Sequence, residues 1–97
     1  ALTQLINDHL EEADLDVNKL ASLMNMSRAT LYRKVKESLK VTPNDFIRVV
    51  RLKKAAELLR QKEYRINEIA YITGFSSSSY FSRCFYRQYG VLPKDFC

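Results

Sequence analysis

Apolar residues return at helical intervals along most of the chain. Val17, Leu20, Ala21, Leu23 and Met24 fall three and four apart, which predicts about two turns of amphipathic helix. Asn25 follows, one of the residue types that tolerate the positive φ at which helices end. One apolar residue, Met26, leads to Ser27, a natural cap for the next helix. In that helix the spacing places Leu31, Val35 and Leu39 inward. A longer pattern comes next. Thr42 as cap, Pro43 at the first helical position and Asp45 at the third predict a firm start. Phe46, Ile47, Val50, Leu52, Ala55, Ala56, Leu58 and Leu59 carry the pattern on to about Gln61. At about 1.5 Å per residue this helix is a rod of roughly 28 Å.

The first pattern then recurs. DVNKLASLMNMS (16–27) is echoed by RINEIAYITGFS (65–76), so that Val17, Asn18, Leu20, Ala21, Leu23, Met26 and Ser27 match Ile66, Asn67, Ile69, Ala70, Ile72, Phe75 and Ser76. One extra residue follows in the second copy. Leu31, Arg33, Val35, Leu39 and Val41 then match Phe81, Arg83, Phe85, Tyr89 and Val91, and Pro43, Asp45 and Phe46 match Pro93, Asp95 and Phe96. Each copy reads as short helix, tight turn, second helix, the grammar of a helix-turn-helix. Ala21 and Ala70 are small enough for close helix crossing. The same pattern also describes a plain αα-hairpin, so the charge of the outer face has to decide between the two.

The net charge is +5, and it is unevenly spread. Residues 1–16 hold five acids (Asp8, Glu11, Glu12, Asp14, Asp16) and no Lys or Arg; residues 17–97 hold all sixteen Lys and Arg against six acids. A small body that basic suits a polyanion. With Leu31, Val35 and Leu39 inward, Ala29, Tyr32, Arg33 and Lys36 share the opposite face. Arg33 is the natural base reader, because its planar fork matches O6 and N7 of guanine. Tyr32 suits a thymine methyl or a phosphate, and Ala29 an apolar contact. Ser27, Arg28 and Lys36 are placed for phosphate, which gives affinity without sequence information. In the second copy the reading face is Ser78, Ser79, Ser82 and Arg83, with Ser76, Ser77 and Arg87 toward phosphate. The run of four serines, 76–79, therefore reads as the cap and first turn of a recognition helix rather than as a linker. Tyr80 and Phe81 are expected to pack inward.

These residues resemble the DNA-binding domain of the AraC/XylS family of bacterial transcription regulators, over about residues 5–97. The densest run is INEIAYITGFSSSSYFSRCFYRQYGVLPKDF (66–96). It follows a family pattern of Ile-Ala, Gly-Phe, a serine- or acid-rich turn, aromatic-Phe-Ser-Arg, Phe, a Gly, and a Pro leading to an aromatic. RLKKAAELL (51–59) resembles the family's linker helix. The resemblance implies an all-α fold of about seven helices. A first helix-turn-helix subdomain (1–41) and a second (62–97) would be joined by the linker helix (42–61). It implies a cytoplasmic regulator binding double-stranded DNA in two adjacent major-groove segments, one turn of about 34 Å apart. Ala29, Tyr32 and Arg33 would read bases from the first, and Ser78, Ser79 and Arg83 from the second. It further implies contact with RNA polymerase, a monomeric isolated domain, and a full-length protein dimerised through a domain outside this segment. The acidic start is expected to be the domain's first helix. Four positions depart from the pattern: Asn25 for the usual Gly, Lys40 where the second copy keeps Gly90, Cys97 for the usual Arg, and Cys84 at a position usually small.

Other functions find less support. An enzyme would need a phosphate-cradling glycine loop, metal-ligand spacing or a supported nucleophile, and only Cys84 with the distant His9 offers a pair. No cofactor or metal is expected, since two cysteines and one histidine do not make a zinc site. The two cysteines fit a reducing compartment better than a disulfide framework. No apolar run approaches the roughly 20 residues of a membrane span, and no signal peptide is visible. No platform of exposed aromatics for RNA is expected. The rival from another class is a helical protein-interaction module that kept the architecture and lost DNA binding.

Overall fold

Helices begin where the sequence supplies a cap. The computed structural model describes all residues except Ala1, Glu11, Ala13, Asp14 and Cys97, and the side chain of Thr3. Its elements are α1 (Leu2–Asp8), α2 (Val17–Leu23), α3 (Arg28–Leu39), α4 (Pro43–Gln61), α5 (Ile66–Ile72), α6 (Ser78–Tyr89) and a 3₁₀ turn, Pro93–Asp95. Side-chain oxygens of Asp16, Ser27, Thr42 and Ser77 accept backbone N–H bonds at the starts of α2, α3, α4 and α6. Each such cap contributes about 1 kcal/mol. At α5 the Glu68 carboxylate instead reaches back to the Arg65 N–H, at 2.8 Å.

The duplication is visible in the turns. Met26 N–H donates to Ala21 O at 3.0 Å, and Phe75 N–H donates to Ala70 O at 2.9 Å. Asn25 and Gly74 take the left-handed conformation, with φ of 57° and 86°. One correction concerns the serines. The cap of α3 is Ser27 and that of α6 is Ser77, so the extra residue of the second copy is Ser76, in the turn. Side-chain capping, rather than the flanking apolar match, sets the register.

Helix α4 is the axis of the molecule and packs against α1, α3, α5 and α6. Ile47 and Val50 on its first half join Ile6, Leu10, Leu20, Leu31 and Val35 in one core. Leu52, Ala55, Ala56 and Leu58 on its second half join Ile69, Ala70, Phe75, Phe81 and Phe85 in another. The first core is aliphatic. The second is built on rings: Phe85 meets Phe81 at 5.8 Å, Tyr89 at 4.6 Å and Phe96 at 5.1 Å between centroids. Cys84 is buried within it.

Leu39 does not point inward. It is the last residue of α3 and is 43% exposed. The chain turns away at Lys40 before a third apolar turn can reach the core, whereas the longer Tyr89 still stacks on Phe85 and Phe96. Lys40 itself has φ of 62°, the conformation that Gly90 adopts after α6. A Cβ there costs about 1–2 kcal/mol, partly offset by the entropy a glycine loses on folding. Lys40→Gly is therefore expected to stabilise the domain by about 0.5–1 kcal/mol, read as a higher urea midpoint at unchanged slope. A lower midpoint would contradict it.

Candidate nucleic-acid interface

Helix α3 buries Leu31 and Val35, and that fixes its outer face. Ala29, Tyr32, Arg33 and Lys36 stand on it, all exposed, with Ser27 and Arg28 at its start. Helix α6 buries Phe81, Cys84 and Phe85. Ser79 and Arg83 are exposed on the other side, with Ser78 and Ser82 half-buried. Ser76 and Arg87 are exposed and Ser77 is half-buried. Two hydroxyls are already engaged. Ser27 accepts from Thr30 N–H and donates to the Thr30 hydroxyl, and Ser77 accepts from Tyr80 N–H. Their first task is capping, which aims the helix start outward and leaves its leading N–H groups for an anion.

The two helices present their arginines differently. Arg33 is exposed on α3, while the Arg83 guanidinium lies 5.9 Å from the centre of the Tyr80 ring. Tyr80 is not packed inward as its neighbour Phe81 is. It is 39% exposed, with its ring 5.9 Å from that of Phe75. Position 80 lies at the edge of the apolar stripe of α6, so its ring covers Phe75 on one side and meets solvent on the other.

Sequence reasoning missed Arg48. With Tyr80, Arg83 and Arg87 it lines a groove of about 410 Å³ between α4 and α6, held by Asp45 at 3.0 Å. Its signal was its place on α4, four residues before the buried Leu52, which turns it toward the second unit. The other candidate pair fails: His9 turns to Glu12, and Cys84 lines the groove beside Arg48. Hydrogen bonds from Lys19 and His9 hold the Glu12 carboxyl below its ordinary value. Among the described residues no cluster of His, Cys, Asp and Glu is set to hold a metal. No described helix is long and apolar enough to cross a membrane. The expectation for Cys97 falls outside the described residues.

A helix-turn-helix domain family model matches residues 20–97. A solved transcriptional regulator from Chromobacterium violaceum, described as containing an AraC-type DNA-binding domain, superposes with a TM-score of 0.89. It is 29% identical over 97% of this chain and 83% of its own. This chain belongs to the AraC-type helix-turn-helix family. That family is one of bacterial DNA-binding transcription regulators, not of enzymes. The DNA-binding domain of AdpA, a global transcriptional factor, solved in complex with a target DNA, is 30% identical over 96% of this chain and 83% of its own, with a TM-score of 0.87. Among curated proteins, histidine kinase P4 of Formosa agariphila is 36% identical over 96% of this chain. The chain spans 7% of that kinase and 32% of the RhaS activators it also matches.

Proposed function

We propose that this AraC-type domain binds double-stranded DNA by placing α3 and α6 in adjacent major-groove segments. Arg33 and Arg83 read guanine edges in this scheme, and Ala29, Tyr32, Ser78 and Ser79 contact neighbouring bases. Ser27, Arg28, Lys36, Ser76, Ser77 and Arg87 meet phosphates, joined by Arg48. The observation that carries the reading is the matched pair of exposed arginines, one on each of two capped helices related by an internal repeat. The length supports it: the molecule extends 39 Å, enough for two segments one helical turn of about 34 Å apart. The AdpA complex adds a similar domain that binds a target DNA.

In the whole protein the domain would be the cytoplasmic output end. A part outside this segment would receive the signal and dimerise, and the output would be contact with RNA polymerase. The likeness to a histidine kinase favours a two-component system as that signal's source.

Selection of bound sequences from a random duplex pool tests the reading. Arg33→Ala and Arg83→Ala are each expected to cost about 1–3 kcal/mol on the selected site and to relax preference at one position each. An equal loss on every duplex would reduce both arginines to phosphate contacts. Absence of duplex binding even at low salt would leave the protein-interaction module instead.

A further inference from the structure

The two cores stop on either side of a single residue of α4. Val50 belongs to the first and Leu52 to the second, and between them Arg51 is buried to 5% exposure. Among the described residues its guanidinium meets no carboxylate. One terminal nitrogen donates to Leu10 O at 2.8 Å and to Thr73 O at 2.7 Å; the other donates to Glu12 O at 3.0 Å. Leu10 and Glu12 lie in the connection from α1 to α2, and Thr73 caps α5 in the turn that leads to α6.

We infer that Arg51 is a positioning residue, a clamp that fixes the mutual orientation of the two helix-turn-helix units and thereby the separation of α3 and α6. Each unit packs on its own half of α4, and among the described residues the two apolar cores stay separate. A cleft of about 240 Å³ opens there, with Leu15 and Ile47 to one side and Phe75 and Ser76 to the other. Apolar packing is non-directional and would let either unit rock on the rod. A planar fork satisfied by carbonyls from both units removes that freedom, because each bond has a preferred direction.

The grip is on the parts that matter. Thr73 O belongs to the turn that aims α6, and the Thr73 hydroxyl is itself tied to Ile69 O at 2.7 Å. On the other side Glu12 links onward, its carboxylate bonded to His9 after α1 and to Lys19 on α2. Gly74 is shaped around the clamp: a Cβ there would lie 1.5 Å from the Arg51 terminal nitrogen and 2.1 Å from Leu10 O. This explains why the repeat keeps Asn at 25 and Gly at 74. Both need positive φ, and only the second lies under a guanidinium. Burial lowers the Arg51 pKa, yet an arginine stays charged.

The clamp itself does not depend on DNA; its consequence for DNA rests on the two-groove reading. Spin labels at Lys34→Cys on α3 and Gln88→Cys on α6, with Cys84→Ala and Cys97→Ser, report the distance between the units by double electron–electron resonance. With Arg51 present, one narrow distribution is expected. Arg51→Met, helical content retained, is expected to broaden it; a distribution as narrow as the parent's overturns the clamp. Should Arg51→Met not fold, Arg51→Lys decides in the same way, since one ammonium lacks the fork that spans both units. On the selected duplex, inserting about five base pairs between the two segments is expected to abolish tight binding by the parent and to matter less for the Arg51 variant. Equal spacing dependence counts against the consequence. Failure of every form to bind duplex sinks the two-groove reading and leaves the distances to judge the clamp.

Discussion

Gly74→Ala is expected to cost the domain about 4 kcal/mol or more. Two independent effects add. At φ of 86° any Cβ carries the left-handed cost of about 1–2 kcal/mol. The Cβ would also overlap the Arg51 guanidinium and Leu10 O, at 1.5 and 2.1 Å. A side-chain end can retreat, but this one cannot do so without leaving its three carbonyls, and the Leu10 contact is with backbone. Disrupting a buried, hydrogen-bonded charge costs about 3–5 kcal/mol. Gly90→Ala provides the control, because φ there is 77° and a Cβ meets nothing within 4 Å. It is expected to cost about 0.5–1 kcal/mol, the left-handed backbone cost less the entropy a glycine loses on folding. Equal losses for the two substitutions in urea melts would show that the guanidinium adds nothing at Gly74. A double variant, Gly74→Ala with Arg51→Met, is expected to lose less than the sum of the two, since one clash is then gone.

What the sequence made legible was local or repeated. Ser27, Thr42 and Pro43 announce helix starts by chemistry acting within three residues, and those starts are where they were expected. The duplication supplied the architecture, because two copies that bury the same stripe need something between them, and 43–61 was long enough to be it. The outer faces of α3 and α6 followed from their inner ones. The misreadings share a different cause. Leu39 and Tyr80 have the right periodicity and sit at the edge of a stripe, where the path of the chain and the shape of the facing surface decide burial. The apolar matches align Ser76 with Ser27, while the hydroxyl that bonds an amide is that of Ser77. Arg51 carries a signal in the sequence. It stands four residues after Ile47 and four before Ala55, a cation on a face otherwise buried. A charge there demands polar partners, but which carbonyls converge on it is a property of the folded chain.

That division between local and folded information also sets what a core substitution does. Phe85→Ala is expected to cost about 3–5 kcal/mol. Phe85 is fully buried, with ring neighbours Phe81, Tyr89 and Phe96 contributed by α6 and the segment after it. Removing the central ring forfeits its own burial and leaves three rings facing a void that rigid aromatics do not close. Its repeat partner Val35 sits among aliphatic side chains in the first core, and Val35→Ala deletes only two carbons, worth about 1.6 kcal/mol of transfer before any cavity effect. The same step in the repeat should therefore be about twice as costly in the second unit. Native-state hydrogen exchange adds a spatial reading. In Phe85→Ala the amides of α5 and α6 should lose protection first, with α2 and α3 following less. An unchanged melting temperature would deny Phe85 its place in the core. Uniform loss of protection over both units would instead show that α4 couples the two cores too tightly for either to open alone.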